Sequence, residues 1–220
     1  FWHVWGLLHH VREGARPRLE LLEVVPGVQL AFEVEPLGLL FALVASFLWI
    51  VTTLYAIGYM RGHHEENQTR FFFFFAIAIA GALGVAFSAN LFTLFAFYEV
   101  LTLCTFPLVT HHQTDEARKA GRVYLGILLT TSVAFQLLAI IWTWQLADTV
   151  DFTEGGILAG TASNGVLSAI LVLFVFGVGK AAVMPFHRWL PAAMVAPTPV
   201  SALLHAVAVV KAGVFTVLKV

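Results

Sequence analysis

The chain has 220 residues, of which 60% are hydrophobic and 11% are charged, and its mean hydropathy is +0.87. Soluble domains have about 45–50% apolar and about 25% charged residues, so this composition excludes a soluble domain, a disordered chain and a coiled coil. The formal net charge of −1 and the single cysteine, Cys104, exclude a basic surface for nucleic acid and a disulfide framework or cysteine-based metal site within this chain. We therefore expect an all-α polytopic membrane protein that binds no nucleic acid.

The first predicted segments precede the membrane domain. Residues 1–18 are expected to hold the end of a preceding helix and a loop, and residues 19–34 a β-hairpin. Apolar side chains alternate on both sides of the turn at Pro26–Gly27: Leu19 and Leu21 before it, and Val28, Leu30, Phe32 and Val34 after it. The chain starts without a methionine or a signal peptide and stops inside an apolar run, so we expect a fragment of a longer membrane protein.

Residues 35–220 form the predicted membrane domain. A helix needs about 20 apolar residues to cross the hydrocarbon core, because its backbone polar groups must bond to one another there. Uncharged runs of this length recur along the chain, and residues 88–90 interrupt one that is too long for a single span. Six transmembrane helices are predicted: about residues 37–60, 71–87, 91–109, 117–147, 163–184 and 199–220.

Basic residues are distributed unequally between the two sets of connecting loops. One set, at about 61–70, 110–119 and 185–198, carries Arg61, Arg70, Arg118, Lys119, Arg122 and Arg188, whereas the loops 88–90 and 148–162 carry no Lys or Arg. Three arginines precede the first span, but they lie some distance from it. Because basic loops stay in the cytoplasm, we expect the first set to be cytoplasmic, the hairpin to lie outside, and the chain to occupy the inner (plasma) membrane.

Four ionisable residues lie inside the predicted spans: Glu99, Lys180, His205 and Lys211. A full charge at the centre of a membrane helix costs about 2.5–3.5 kcal/mol, so three of them indicate function rather than packing. The alternatives are a neutral hydrogen-bonded acid at Glu99, a side chain that reaches the membrane surface at Lys180, and a hydrogen-bonded core residue at His205. Because the proton affinity of a lysine depends on a neighbouring acid, this set predicts proton movement, with Glu99 and Lys180 in contact directly or through one water.

The surroundings of two of these residues carry further expectations. Gly177 and Gly179 precede Lys180 and Pro185 follows it, so we expect a non-helical distortion between about 177 and 185. Lys211 follows His205 by six residues, which offsets the two side chains by about 120° and about 9 Å along a helix. They are therefore expected to line one hydrated path without touching.

No metal site and no cofactor is predicted for this chain. The pairs His63–His64 and His111–His112 stand beside acidic residues in loops, but adjacent histidines alone are poor chelators. The sequence GVGK before Ala181 lacks the spacing of a phosphate-binding loop, since Phe174 stands where that loop needs a glycine. Serine and threonine residues show no arrangement typical of a hydrolase.

One stretch resembles a known family closely. The sequence GKAAVMPFHRWLPAAMVAPTPVSALLHAVAVVKAGVF (179–215) resembles the signature of the antiporter-like membrane subunits, which occur in Mrp-type sodium/proton antiporters, respiratory complex I and membrane-bound hydrogenases. Supporting matches are VEPLGLLFALVASFLWIVTTLYAIGYMRG (34–62), FYEVLTLCTFPLV (97–109) and EARKAGRVYL (116–125). The resemblance covers nearly the whole chain after about residue 19.

The resemblance implies a fold of roughly fourteen helices built from two inverted repeats of five, of which this chain supplies about the third to the eighth. It implies that Glu99 lies on the fifth helix, Lys180 on a broken seventh, and His205 and Lys211 on the eighth. In the family these positions form a Glu–Lys pair and a central proton relay. The chain departs from the family at Ala192, where many relatives carry an acid, and at Glu35, which replaces an aspartate.

Three functions remain open at this point. The first is a proton-translocating subunit of a multi-subunit monovalent cation/proton antiporter, which works through Glu99, Lys180, His205 and Lys211. The second is a proton-pumping subunit of complex I or a membrane hydrogenase, with every redox centre in its partners. The third is an energy-coupling subunit of an inorganic-carbon uptake complex. All three require other membrane subunits, the lipid bilayer and protons as partners, and the first leaves open whether sodium moves.

Overall fold

Seven main helices and one two-stranded antiparallel sheet make up the fold, and the computed structural model describes all residues from 1 to 220. The helices are α1 (Trp2–Arg12), α2 (Pro36–Gly62), α3 (Gln68–Ala86), α4 (Leu91–Val109), α5 (Asp115–Ala147), α6 (Asn164–Gly177) and α7 (Thr198–Lys219), and the strands are β1 (Arg18–Val25) and β2 (Val28–Glu33). Five of the helices, α2, α3, α4, α5 and α7, are long and apolar enough to cross a membrane. The predicted hairpin and the predicted helical membrane fold are confirmed.

Local sequence explains where several of these helices begin. Pro36 stands in the first turn of α2, where the missing backbone N–H costs nothing. The Asn90 side chain accepts a hydrogen bond from the Thr93 backbone N–H at 2.7 Å and caps α4. The Thr114 hydroxyl accepts one from the Ala117 backbone N–H at 3.1 Å and caps α5, which therefore begins before the predicted residue 117.

The helix predicted over residues 163–184 is wrong over its last seven residues, 178–184. Helix α6 has 14 residues and ends at Gly177, so it is about 21 Å long and too short to cross a core of about 30 Å. A short 3₁₀ turn, Gly179–Ala181, follows it, and after an irregular stretch come the short turns Phe186–Arg188, Trp189–Ala192 and Ala193–Val195. The distortion predicted between 177 and 185 is confirmed, and of the six apolar helices predicted, five are long enough to cross a membrane and α6 is shorter.

Gly177 lets the end of α6 lie directly against the backbone of α5. A Cβ atom at this position would lie 2.4 Å from the Gln136 nitrogen, which is closer than real Cβ contacts allow. The part of α5 that it meets, Ser132–Gln136, is a π-helical segment, and α7 contains another at Leu203–Val207. The broken stretch after α6 therefore begins beside the π-helical segment of α5.

One end of the helical layer, which we name the hairpin end, carries the hairpin and two loops. The Ala31 backbone N–H donates to the Thr93 hydroxyl at 3.0 Å, and the Asn90 amide donates to the Gln29 carbonyl at 2.8 Å. Isolated β-bridges join Phe32 to Ser88 and Asn90 to Asp151. The hairpin therefore lies at the same end as the loops 88–90 and 148–162, which carry no basic residue.

The other end, which we name the histidine end, is formed by the α2–α3 and α4–α5 loops. A Glu65 carboxylate oxygen lies 3.8 Å from the His111 Nε2 atom and 3.5 Å from the His112 Nδ1 atom. The Arg70 guanidinium donates to the His111 carbonyl at 2.9 Å. Burial and the nearby Arg70 charge both disfavour protonation of His111, so the pKa of its imidazole lies below the usual 6.5, although Glu65 opposes this shift.

This environment predicts two opposite pKa changes at His111. We expect Arg70→Gln to raise the pKa of His111, since it removes a positive neighbour, and Glu65→Gln to lower it further. Stability should fall as the pH drops from about 6.5 towards the folded pKa, because over that range the unfolded chain binds the proton more readily. Deuterium exchange at the imidazole C2 position, followed by mass spectrometry of the full-length subunit, measures the pKa. Changes of the same sign in both variants would contradict this assignment.

Candidate functional site

Glu99 lies in the middle of α4 with its head group inside the protein. Both carboxylate oxygens are buried, and neither has a hydrogen-bond partner in the chain. The interior orientation predicted for this acid is confirmed. A buried carboxyl without a partner is unfavourable in a merely structural position, since each unsatisfied buried polar group costs about 1–3 kcal/mol.

Lys180 is fully buried in the turn that follows α6. Its Nζ donates to the Tyr98 carbonyl at 2.7 Å and to the Thr102 hydroxyl at 2.5 Å, and it lies 3.2 Å from the centroid of the Tyr98 ring. The Lys180 backbone N–H donates to the Tyr98 hydroxyl at 2.9 Å. The alternative reading, in which this lysine reaches the membrane surface, is therefore wrong, because α4 holds its head group inside the protein.

The direct form of the predicted Glu99–Lys180 contact is absent. Lys180 binds the carbonyl of the residue immediately before Glu99, and the carboxylate itself is unpaired. The reason is helical geometry: Tyr98 and Thr102 are one turn apart on one face of α4, whereas Glu99 is rotated from Tyr98 by about 100°. The acid and the lysine are thus neighbours through α4 without an ion pair.

The turn that carries Lys180 is fixed from the opposite side by two aromatic residues. The Trp189 indole N–H donates to the Gly179 carbonyl at 2.9 Å, and the Trp189 side chain is fully buried. The ring of Tyr124 on α5 packs edge-on against it, with centroids 5.5 Å apart. The Tyr124 hydroxyl is in turn hydrogen-bonded to the Thr105 hydroxyl at 2.5 Å, so α4, α5 and the turn are tied together.

His205 and Lys211 lie on α7 in different environments. His205 is in the π-helical segment, where the Ala208 N–H donates to the Leu203 carbonyl at 2.9 Å, and its Nε2 atom is buried without a partner. Lys211 is exposed on the surface of this chain. The structure therefore brings Lys180 onto α4 beside Glu99, but it does not bring Lys211 into the same interior space.

Helix α7 nevertheless passes directly along the Lys180 turn. A Cβ atom at Gly213 would lie 2.3 Å from the Ala181 nitrogen, so the two backbones are in contact there. Tyr98 and Thr102, which hold the lysine, were not predicted. Their signal in the sequence is their position one residue before and three residues after Glu99, which places them on adjoining faces of the same helix.

No group of three or more His, Cys, Asp or Glu side chains is arranged to hold a metal ion. The site instead contains three ionisable groups: the Lys180 ammonium, the Glu99 carboxyl and the His205 imidazole. They lie on the broken stretch, α4 and α7 respectively. Groups of these kinds can bind and release protons, and a membrane helix rarely carries them without a function. The fold and these buried ionisable groups are typical of a functional subunit of a multi-pass helical membrane complex.

Two family models match the chain. Residues 88–220 match the one described as "NADH:quinone oxidoreductase/Mrp antiporter, TM", and residues 26–72 match "NADH-Ubiquinone oxidoreductase (complex I), chain 5 N-terminus". The first match alone covers more than half of the chain. The chain therefore belongs to the NADH:quinone oxidoreductase/Mrp antiporter family of membrane subunits, and the resemblance derived from its motifs is confirmed.

Similar proteins agree with this family. The chain is 29% identical over 197 residues to the putative antiporter subunit mnhA2 of Staphylococcus aureus, and 30% identical over 194 residues to that of Staphylococcus haemolyticus. Each alignment covers 87% of this chain and 24% of the relative, so the chain spans about a quarter of the length of these curated relatives.

Solved structures show the same arrangement of helices. The Mrp complex from Dietzia sp. DQ12-45-1b matches with a TM-score of 0.84 and 26% identity, over 97% of this chain and 24% of that one. The membrane-bound sulfane sulfur reductase, an archaeal respiratory membrane complex, matches with a TM-score of 0.81 and 24% identity, over 98% of this chain and 34% of that one. The second likeness shows the fold alone.

The hydroxyl of Thr102 provides a test of how Lys180 is held. Thr102→Val should destabilise the full-length subunit by about 1–3 kcal/mol, because it removes one acceptor from a buried ammonium. The loss is measured as a lower midpoint of thermal unfolding in detergent. Thr52→Val is the matched control, since the Thr52 hydroxyl bonds only to the Leu48 carbonyl of its own helix. Equal effects of the two substitutions would show that the Thr102 hydroxyl does not support Lys180.

Proposed function

We propose that this chain is part of a proton-translocating subunit of a multi-subunit monovalent cation/proton antiporter. One observation carries the proposal: a fully buried lysine, held by a helix carbonyl and a hydroxyl, lies in a broken stretch beside an unpaired buried acid. The membership of the family and the likeness to an Mrp complex support it. Because the chain spans about a quarter of its curated relatives, the complete activity belongs to the full-length subunit in its complex.

In this mechanism Lys180 is the mobile proton carrier. Its ammonium is stabilised by the Tyr98 carbonyl, the Thr102 hydroxyl and the face of the Tyr98 ring. A lysine that swings away from these acceptors into apolar surroundings holds its proton less tightly and releases it. Glu99, one residue from Tyr98, supplies the negative charge that favours the return of the proton.

The proton then passes to α7. His205 has a buried ring nitrogen without a partner, which is the kind of group that accepts a proton arriving from Lys180. Lys211 follows on the same helix and is exposed on the surface of this chain. We place further parts of the complex against this surface. The order of transfer is Glu99, Lys180, His205 and Lys211, or the reverse.

The membrane orientation follows from charge. We place the histidine end in the cytoplasm, because its loops at about 61–70, 110–119 and 185–198 carry more basic residues near the spans than those of the other end, and we place the hairpin end outside. The second candidate function is a proton-pumping subunit of a complex I-like enzyme, which the match of residues 26–72 favours. The two candidates differ in whether transport needs a redox reaction. Exchange of sodium for protons by the complex in reconstituted vesicles, without a redox substrate, indicates an antiporter.

Neutralisation of the acid tests the relay. Glu99→Gln in the full-length subunit should lower proton transport by about a hundredfold, because it removes a group that binds and releases the proton. Assembly should be unchanged, since the substitution removes a charge from the membrane. Transport is followed with a pH-sensitive dye in vesicles, and Glu116→Gln, at an exposed position on α5, is the control. An assembled Glu99→Gln complex with normal transport would refute the role of Glu99.

The lysine is tested by exchanging it for arginine. Lys180→Ala and Lys180→Arg should both stop transport, the second because a guanidinium keeps its proton at every physiological pH. Both variants are compared with the wild type in the same vesicles, after a check that the complex assembles. Full transport with arginine at this position would mean that Lys180 is a fixed counter-charge and that the proton takes another route.

A further inference from the structure

A second buried pair of acid and lysine lies at the hairpin end, away from the groups considered so far. The Lys219 Nζ atom, at the end of α7, is 3.1 Å from a carboxylate oxygen of Glu35, which immediately precedes α2. The exposed fractions of the two side chains are 4% and 20%. A pair this enclosed requires an explanation, because burial of two charges costs several kcal/mol per ion before their attraction is counted.

Three separate parts of the chain surround the Lys219 ammonium. Besides Glu35, it donates a hydrogen bond to the Ser88 carbonyl in the α3–α4 turn at 2.6 Å, and it lies 4.5 Å from the centroid of the Phe152 ring. An ammonium has three donors, and two of them are used here by an acid and a carbonyl. This surrounding resembles that of Lys180, which has a carbonyl, a hydroxyl and an aromatic face.

The pair borders a cavity of about 650 Å³. Glu35, Lys219 and Phe152 line one side of it, and apolar side chains of α6 line another. Arg16 and Glu154 also line the cavity and form an ion pair of 2.5 Å whose side chains are 45% and 81% exposed. Part of the cavity lining is therefore exposed on this chain, while Lys219 is buried.

The other charged groups near the pair are mostly acidic. Glu33 on β2 is a second acid in the neighbourhood of Lys219. Arg18 on β1 faces Glu33 at 3.8 Å but also bonds to Asp151 at 2.8 Å and to Glu20 at 3.1 Å, so it is shared among three acids. The α3–α4 turn contributes no charge. The Lys219 ammonium thus has Glu35 as its direct acidic partner.

Helix α7 connects this pair to the proposed relay. Lys219 follows Lys211 by eight residues, which corresponds to about 12 Å along the helix and a rotation of about 80°. Lys211 is exposed and Lys219 is enclosed, so transfer between them requires water along the surface of α7. Helix α7 therefore carries ionisable residues from the π-helical segment at His205 to the hairpin end.

We infer that Glu35 and Lys219 form a second proton-exchange site, through which the relay exchanges protons with water at the hairpin end by way of the cavity. This inference rests on the proposed function and extends it. A proton from Lys211 passes to neutral Lys219, the resulting ammonium gives a proton to the Glu35 carboxylate, and Glu35 releases it to water in the cavity. The reverse order applies for uptake, and no other reactant is needed.

The test separates proton exchange from a structural ion pair. Lys219→Arg keeps the charge and the pairing but holds its proton, and Glu35→Gln keeps an oxygen acceptor for Lys219 but binds no proton. Each is introduced into the full-length subunit, and transport is measured in vesicles that contain the assembled complex. We expect each to lower transport by about tenfold or more, whereas Glu35→Asp, which keeps a dissociable proton, should retain most of it.

The exposed pair in the same cavity supplies the control. Arg16→Gln with Glu154→Gln should leave transport near the wild-type rate, because that pair is exposed to solvent. Full transport by an assembled Lys219→Arg or Glu35→Gln complex would overturn the inference, and so would failure of both to assemble, which would make the pair structural. Glu99→Gln is measured in parallel: if it transports normally, the proposed function itself fails, and if it alone abolishes transport, only the second site is rejected.

Discussion

The burial of the Lys180 ammonium is the constraint on which the rest of this structure depends. An ammonium at membrane depth must be bound at every side, and here the Tyr98 carbonyl, the Thr102 hydroxyl and the Tyr98 ring supply the contacts. A regular helix through residue 180 would spend its backbone N–H on a bond within the helix, whereas here that N–H reaches the Tyr98 hydroxyl. The break after Gly177 is therefore part of the binding of the lysine rather than a defect of α6.

Two of the long helices, α5 and α7, each contain a π-helical segment. The π-helical segment of α5 lies where Gly177 touches the Gln136 backbone, and the segment of α7 contains His205. Such segments occur often at functional sites, because they redirect side chains and disturb the ladder of hydrogen bonds. The Gln136 amide and the His205 Nε2 atom, one in each π-helical segment, are both buried without partners.

The two ends of the molecule are closed in different ways. At the hairpin end, hydrogen bonds from Ala31 and Asn90 fix the sheet to α4, and Lys219 joins the start of α2 to the α3–α4 turn. At the histidine end, Glu65 and Arg70 hold the α4–α5 loop through His111 and its carbonyl. Charged side chains thus tie the loops together at both ends, while apolar side chains fill most of the interior between them.

Much of the fold follows from the sequence, because the bilayer restricts what an uncharged run can form. Runs of about 20 apolar residues predict spans, alternation around Pro26–Gly27 predicts the hairpin, and Gly177 and Gly179 predict the break. Hydropathy overestimates the length of α6, because the apolar run continues past Gly177 although the helix ends there. Hydropathy indicates whether a segment lies in the membrane, but only the packing of α6 against α5 decides where that helix ends.

For the site, the sequence by itself identified the ionisable residues, because a charge inside an apolar run is visible without coordinates. It did not identify their partners. Lys180 was expected to meet Glu99, but the tertiary structure gives it the carbonyl of Tyr98 and the hydroxyl of Thr102, since one residue along a helix turns a side chain by about 100°. The pair of Glu35 and Lys219 joins residues far apart in the chain, and only the packing of α7 against the start of α2 brings them within 3.1 Å.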